Sequence, residues 1–312
     1  MADDRRAHRA ADAMMRDLTG KVAVITGAAS GIGLALARGA QARGARLVIS
    51  DIRADALADA AADLARDGEV LAVPADVSNW ADVAALADAA HDRFGAVNLL
   101  VNNAGVFASG LTWEVSLEQY DWVIGVNQRS VIHGIKAFVP RMIAGGHDAH
   151  VVTIASGAGI TVNPGFCSYS MTKHAVVALT EALYLDLLTQ RVPNVGVTIV
   201  MPGVVQSNIM FPEKTGHAAL QDELKARQEN PVLAALEAVM RAGVDDGLPV
   251  AELVNQVYAA VMARDLYVLP NFTGDASQAQ ARAIAMGRVT ASDPYPALVA
   301  PWLQQPTTPG AA

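Results

Sequence analysis

Two hydrophobic periods take turns along this chain. Four apolar, β-branched runs, KVAVITG from Lys21, ARLVISD from Ala45, VLAVPAD from Val70 and NLLVNNAG from Asn98, carry little polar interruption. Such runs read as strands buried on both faces. Between them, Gly31 to Arg43, Ala54 to Arg66 and Asn79 to Phe94 place their apolar residues at helical spacing. A long helix is expected from about Ser116 to Ile143, then a strand over Val151 to Ile154, a helix opening near Tyr169, and a strand in VGVTIVMPG from Val195. This alternation with short connections predicts an α/β fold, a doubly wound parallel sheet (Rossmann-like) in a three-layer α/β/α sandwich.

After Pro202-Gly203 the alternation breaks. Residues 204–248 hold helix-like segments (His217 to Gln228, Pro231 to Arg241) with no strand between them, which predicts a helical insertion after the sixth strand. The cycle resumes with a helix from Pro249 to Arg264 and a strand in LYVLP at 266–270, followed by a helix near Ala276 to Arg288. The expected organisation is a mobile tail at 1–18, one domain at 19–290 with 204–248 as a substrate lid, and a Pro-rich tail at 291–312.

Composition narrows the class. With 52% hydrophobic and 17% charged residues, a substantial single core is available. A formal charge of −8 argues against nucleic acid or an anionic membrane as partner. The start of the chain, MADDRRAHRAADAMMRD, lacks the apolar stretch of a secretory signal, and no run of about 18 apolar residues stands ready to span a bilayer. The single cysteine, Cys167, excludes an intrachain disulfide. A soluble, cytoplasmic protein is expected.

The chemistry concentrates between His150 and Lys173. Ser156 follows the expected strand end, Tyr169 comes thirteen residues later, and Lys173 four after that. Residues i and i+4 share one helix face, so phenol and ammonium point the same way. A phenol ordinarily holds its proton to about pH 10, and a nearby cation favours the phenolate. Tyr169 is therefore a candidate acid/base, and Ser156 a hydroxyl able to hold a carbonyl or alcohol oxygen.

The first half supplies a nucleotide cradle. In TGAASGIG, Gly27 permits a sharp turn, while Gly31 and Gly33, with Ser30 and Ile32 beside them, let backbone amides approach a pyrophosphate at a helix N-terminus. Asp51, with Ile52 next to it, ends the second strand 18 residues beyond Gly33. A carboxylate there binds ribose hydroxyls and repels a 2′-phosphate, favouring NAD over NADP; Arg53, two residues on, argues the other way. Asp76 and Val77 are placed to meet the adenine edge. Asn103, Ala104 and Gly105 leave room for the middle of the cofactor.

TGxxxGxG, NNAG, Asn127 within a helix, Ser156, YxxxK and PGxxxS stand in this order over residues 20 to about 208, and the likeness returns at 249–270. Together they resemble the short-chain dehydrogenase/reductase family in its NAD-preferring form. The resemblance implies Ser156, Tyr169 and Lys173 as catalytic residues, with Asn127 as a fourth member holding a water in a proton relay. It implies that Lys173 also binds the nicotinamide ribose, and that Pro202, Gly203, Val205 and Ser207 border the nicotinamide, the last two meeting its carboxamide. Ser207 replaces a frequent threonine and keeps the hydroxyl. By analogy, a homodimer or homotetramer is expected, packed through the helices at Ser116 to Ile143 and Tyr169 to Leu188. A narrower likeness, carried by YDWVIGVNQRSVIHGIKAFVPRMIA, SNI, the insertion and LYVLP, is to bacterial dehydrogenases of benzylic alcohols in lignin-type aryl ethers. It implies a roomy pocket for a secondary alcohol or ketone.

Three alternatives remain: a catalytically silent NAD-binding scaffold or sensor, an NADP-using ketoreductase, and a sugar-nucleotide epimerase or dehydratase. The GxxxGxG spacing speaks against the last. No metal site is expected, because His147 and His150 lack a HExxH frame. His174, Cys167, Met201 and Met210 read as packing or loop residues.

Overall fold

The computed structural model describes residues 17–207, 209, 230–270, 275–290, 293–295 and 297. The expected helix at His217 to Gln228, Met210 and most of the N-terminal tail lie outside them. Seven parallel strands form one sheet in the order β3-β2-β1-β4-β5-β6-β7. They are β1 Val22–Thr26, β2 Arg46–Ser50, β3 Val70–Ala72, β4 Leu99–Asn102, β5 Ala149–Ile154, β6 Val195–Val200 and β7 Tyr267–Val268. The doubly wound parallel sheet expected from the sequence is thus present. Register is continuous, with Val24 opposite Val48 on one side and Leu100 on the other. The order reverses between β1 and β4, where sheets of this kind open a crevice at their carboxyl edge. β3 is shorter than VLAVPAD suggests, because Pro74 has no N–H to extend the ladder.

Among the described residues the α-helices are α1 Gly31–Gln41, α2 Ala54–Leu64, α3 Trp80–Phe94, α4 Leu117–Val123, α5 Ser130–Gly145, α6 Cys167–Thr189, α7 Pro231–Asp245, α8 Val250–Ala263 and α9 Asp275–Thr290. Asn79 caps α3 by accepting from Ala81 N, and Gly95 closes it at φ 78°. The long helix expected from Ser116 to Ile143 is a continuous helical run, but its middle is a π segment over Ile124–Arg129. One apolar layer lies against α1 and α8 (Leu36, Leu253, Val257, Tyr258) and the other against α3 and α5 (Leu86, Phe138, Met142). The inner strands β1, β4, β5 and β6 are buried on both faces, which is why they read as unbroken apolar runs, whereas the outer β3 is half-buried and β7 carries the exposed Tyr267.

The chain divides into two compact units, Met1–Pro270 and Asn271–Ala312. The sheet and all the residues discussed below belong to the first; α9 belongs to the second. Among the described residues no helix is long and apolar enough to cross a membrane.

Candidate active site

Every loop singled out in the sequence leaves the sheet at its carboxyl edge. After β1 the backbone turns through Gly27 at φ 64° and Gly31 at φ 55°, a region where a side chain is strained. A Cβ on Gly33 would overlap the Gly27 carbonyl and the Asn103 amide, so the loop closes only with glycine there. A Cβ on Gly31 would meet nothing nearer than Ser207 Cβ at 4.0 Å. The space between the glycine turn and the segment after β6 is therefore open, as a pyrophosphate needs. NAD fits this donor set.

Thr26 braces the cradle in a way the sequence reading did not find. Its hydroxyl oxygen accepts from Asn103 N and Ala104 N, both at 3.1 Å, while Asn103 Nδ2 donates to Thr26 O at 2.8 Å. Asp51 is buried at the end of β2, and Ile52 beside it is exposed. One carboxylate oxygen of Asp51 accepts from Ala29 N at 3.1 Å. The other takes the backbone N–H and Nε of Arg53, both at 3.1 Å, and the same guanidinium donates to Ser30 Oγ at 2.9 Å. The counter-argument raised by Arg53 thus has a physical form: its guanidinium bridges Asp51 and Ser30, between the end of β2 and the glycine turn. Asp76 accepts from Ser78 N and Oγ, leaving the Val77 carbonyl to the His133 ring at 3.0 Å.

The expected acid/base group assembles beside β5. Ser156 caps the short turn after the strand, accepting from Ala158 N at 3.1 Å, and its hydroxyl hydrogen-bonds the Tyr169 phenol. Gly157 N donates to Pro202 O at 2.8 Å, fixing this turn to the one after β6. Lys173 is buried one turn along α6 from Tyr169; its Nζ donates to Ile154 O at 3.0 Å and stands 5.5 Å from the Tyr169 ring centre. Burial pushes Tyr169 up to about 12, against which the Ser156 bond works, and burial brings Lys173 down to about 8. Desolvation dominates both groups here, because each charged form is removed from water. Asn127, from the π segment, completes the cluster. Its Oδ1 accepts from Val106 N at 2.8 Å, and its Nδ2 donates to Val106 O at 2.9 Å.

An apolar wall that sequence reasoning missed backs Tyr169. Phe107 meets the Tyr169 ring edge-on at 5.2 Å and Phe166 at 4.9 Å. Ala158 and Val244 join them, with Val204 and Ile209 packed alongside. Val244 lies on α7, inside the interrupted stretch, and Glu237 of the same helix accepts a hydrogen bond from Ser109 Oγ. The base of the stretch is stitched by a Val205–Leu248 bridge, with Leu248 N donating to Val204 O at 3.0 Å. The signal was faint: two of only six phenylalanines flank NNAG and YxxxK.

The other candidates behave as packing residues. Met201 is buried among Val131, Val176 and Ile199. His174 Nδ1 meets Ser170 O, and Cys167 Sγ lies between Gly110 O and the Tyr120 hydroxyl. His150 is buried on β5, with Nε2 against Thr198 Oγ1 at 2.8 Å; burial holds it near 3, so it is neutral.

Residues 21–217 match the family described as short chain dehydrogenase. A short chain dehydrogenase/reductase from Burkholderia phymatum, solved in complex with NAD, superposes with a TM-score of 0.81 at 38% identity, covering 89% of this chain and 97% of that one. The 1-deoxy-11-beta-hydroxypentalenate dehydrogenase of Streptomyces exfoliatus is 34% identical over 254 residues, 80% of this chain and 83% of the relative. The C alpha-dehydrogenase of Sphingobium sp. is 32% identical over 258 residues, 82% of each chain. Matching motifs, sheet order and relatives together make this chain a member of the short-chain dehydrogenase family.

Proposed function

We propose that the protein is an NAD-dependent oxidoreductase interconverting a secondary alcohol and its ketone, with a bulky or aryl-bearing group beside the reacting carbon. The observation that carries this reading is the convergence of Ser156, Tyr169, Lys173 and Asn127 at the edge of a sheet whose glycine turn has room for a dinucleotide. NAD, when bound, supplies or accepts the hydride. Gly27, Gly31 and Gly33 admit its pyrophosphate, Asp51 faces its ribose, and Val205 and Ser207 border its nicotinamide end.

The chain's own residues handle the proton and the substrate oxygen. Ser156 holds that oxygen by a hydrogen bond. Tyr169 takes the alcohol proton in one direction and returns it in the other. At neutral pH it starts protonated, so oxidation requires the phenolate to be favoured inside the complex. Ser156 already acts that way, and Lys173, charged below about pH 8, adds to the effect. Asn127 holds the water through which the proton reaches bulk.

We read the 204–248 stretch as a lid over the substrate side, on the strength of its described part, 230–248; residues 208 and 210–229 lie outside the described residues. Val244 against the Tyr169 cluster and the Ser109–Glu237 bond support this. The apolar wall and the names of the relatives support a large substrate. Exposed Leu117, Met171, Leu185 and Leu188 on α4 and α6 support association through those helices as a homodimer or homotetramer. NADH formation at 340 nm across aryl and alkyl secondary alcohols tests the whole reading. Bulky alcohols are expected to exceed 2-butanol in kcat/KM, and absence of turnover across the panel would leave the silent-scaffold alternative. Exchange of 211–245 for a short Gly-Ser loop is expected to erase the bulky preference and spare NAD binding.

A further inference from the structure

We infer that Thr172 is a positioning residue for proton transfer, its hydroxyl holding Asn127 and the Tyr169 helix in one register; the inference rests on the dehydrogenase reading above. Thr172 stands immediately before Lys173 and is fully buried. Its O–H donates to the Tyr169 carbonyl at 2.8 Å, a bond that helical threonines commonly make to their own helix. The second bond is not of that kind. Thr172 Oγ1 also accepts from Asn127 Nδ2 at 3.2 Å, across 45 residues of sequence and between two different helical elements.

That bond completes a row. Asn127 Nδ2 spends its other hydrogen on Val106 O at 2.9 Å, and Asn127 Oδ1 accepts from Val106 N at 2.8 Å. The row runs from the Tyr169 backbone through Thr172 and Asn127 to the loop after β4, and each member is buried. Asn127 needs such external support because it sits in the π segment, where the ladder is widened and Ser130 N reaches back to Gly125 O. Side-chain bonds hold what the local helix holds less tightly.

Position matters at this point. A Cβ on Gly105 would come within 3.4 Å of Asn127 Oδ1 and 3.6 Å of Lys173 Nζ, so amide and ammonium border the same narrow space. Removal of the Thr172 hydroxyl deprives Asn127 Nδ2 and the Tyr169 carbonyl of a partner in a place where water cannot replace it. Asn127 is then free to tilt relative to Lys173. The glycine turn and Asp51 belong to other loops and keep their shape. The defect therefore belongs to proton transfer and not to cofactor binding.

The test compares Thr172→Val and Thr172→Ala with Thr172→Ser, in the full chain, with an alcohol that the parent oxidises. Loss of the hydroxyl is expected to lower kcat by roughly tenfold or more, within the range of acid/base contributions, while KM for NAD stays within about twofold. The acid limb of the kcat–pH profile moves to higher pH. Thr172→Ser, which keeps both bonds, restores kcat and profile. In an Asn127→Ala background the Thr172 substitution has little further effect, since the two act in one row. A parent-like kcat and pH profile in either folded hydroxyl-free variant overturns the inference, as does full additivity with Asn127→Ala. Failure of both hydroxyl-free variants to fold also overturns it, in favour of a purely structural threonine. Tyr169→Phe separates this from the parent reading: if that variant keeps turnover, the acid/base assignment itself falls.

Discussion

The β1–β4 side of the carboxyl edge and the β5–β6 side are made of different material. On the first side the shape belongs to the backbone: two glycines at positive φ, a third against which any side chain would collide, and a threonine hydroxyl bracing the neighbouring loop. On the second side the shape belongs to side chains drawn from far-apart segments, with Phe107, Phe166, Tyr169 and Val244 in one buried cluster. The difference teaches where tolerance lies. A cradle of backbone has almost no substitutes, whereas an apolar wall can be repacked at modest cost.

The largest effect belongs to the one side chain on the second side that we propose exchanges a proton. Tyr169→Phe is expected to lower kcat by about 10²–10⁴-fold, leaving NAD binding and melting temperature near the parent's. Titration of NAD by protein fluorescence beside steady-state rates checks this, and more than a tenth of parental kcat would contradict the assignment.

Next comes the backbone cradle. Gly33→Ala puts a methyl into the Gly27 carbonyl and the Asn103 amide, so the loop must move. Stability is expected to fall by about 1–3 kcal/mol and NAD affinity by at least tenfold. Val244→Ala on the other side is expected to cost NAD affinity nothing measurable and to lower kcat/KM for bulky alcohols only severalfold. If both substitutions cost NAD affinity equally, the contrast between the two sides is lost.

Cofactor choice gives an intermediate effect. Asp51→Ala removes the carboxylate proposed to face the ribose and leaves Arg53 and Ser30 behind. The NAD preference is expected to narrow by roughly 10–100-fold, the worth of one or two charge-assisted hydrogen bonds. Arg53→Ala is expected to widen it, because the nearby cation able to meet a 2′-phosphate is gone. Equal kcat/KM for the two cofactors in the parent protein would break this half of the comparison.

The smallest effect is on stability. Lys173 falls from an ordinary value of 10.5 to about 8, so the fold binds this proton more weakly than the unfolded chain does. The buried ammonium therefore destabilises the ligand-free protein below about pH 8, and the penalty fades as pH rises toward 10.5. Tyr169, raised to about 12, acts oppositely: its contribution is complete below pH 10 and is lost as pH climbs through 12. Lys173→Met is expected to raise the melting temperature of the ligand-free protein at pH 7, with a smaller gain at pH 10. A gain independent of pH would point to packing instead.

Much of the fold was legible because the inner parallel strands are dry on both faces, which leaves apolar runs with turn residues at their ends. Asp51 and the glycine turn were legible for a related reason: their constraint is local, so it is written in consecutive residues. Tyr169 and Lys173 share a helix face, which spacing alone reveals. Ser109 and Glu237 stand 128 residues apart, and only the folded chain makes them partners. The π segment was hidden because IGVNQR has no composition that distinguishes a widened helical turn from an ordinary one. Arg53 was visible as a charge, but its reach back to Ser30 was not.

The stitch between Val205 and Leu248 has a consequence in polymer terms. Because Val205 and Leu248 are held side by side, the chain between them is closed at its base, and Val244 with the Ser109–Glu237 bond fastens its α7 part a second time. The entropy of closing such a loop grows only with the logarithm of its length, so doubling it costs about 0.6 kcal/mol. Length can then vary between the base and α7 with little strain on β6 or α8. New substrates can be accommodated by rewriting one tethered excursion, while the residues proposed to handle the proton stay where they are.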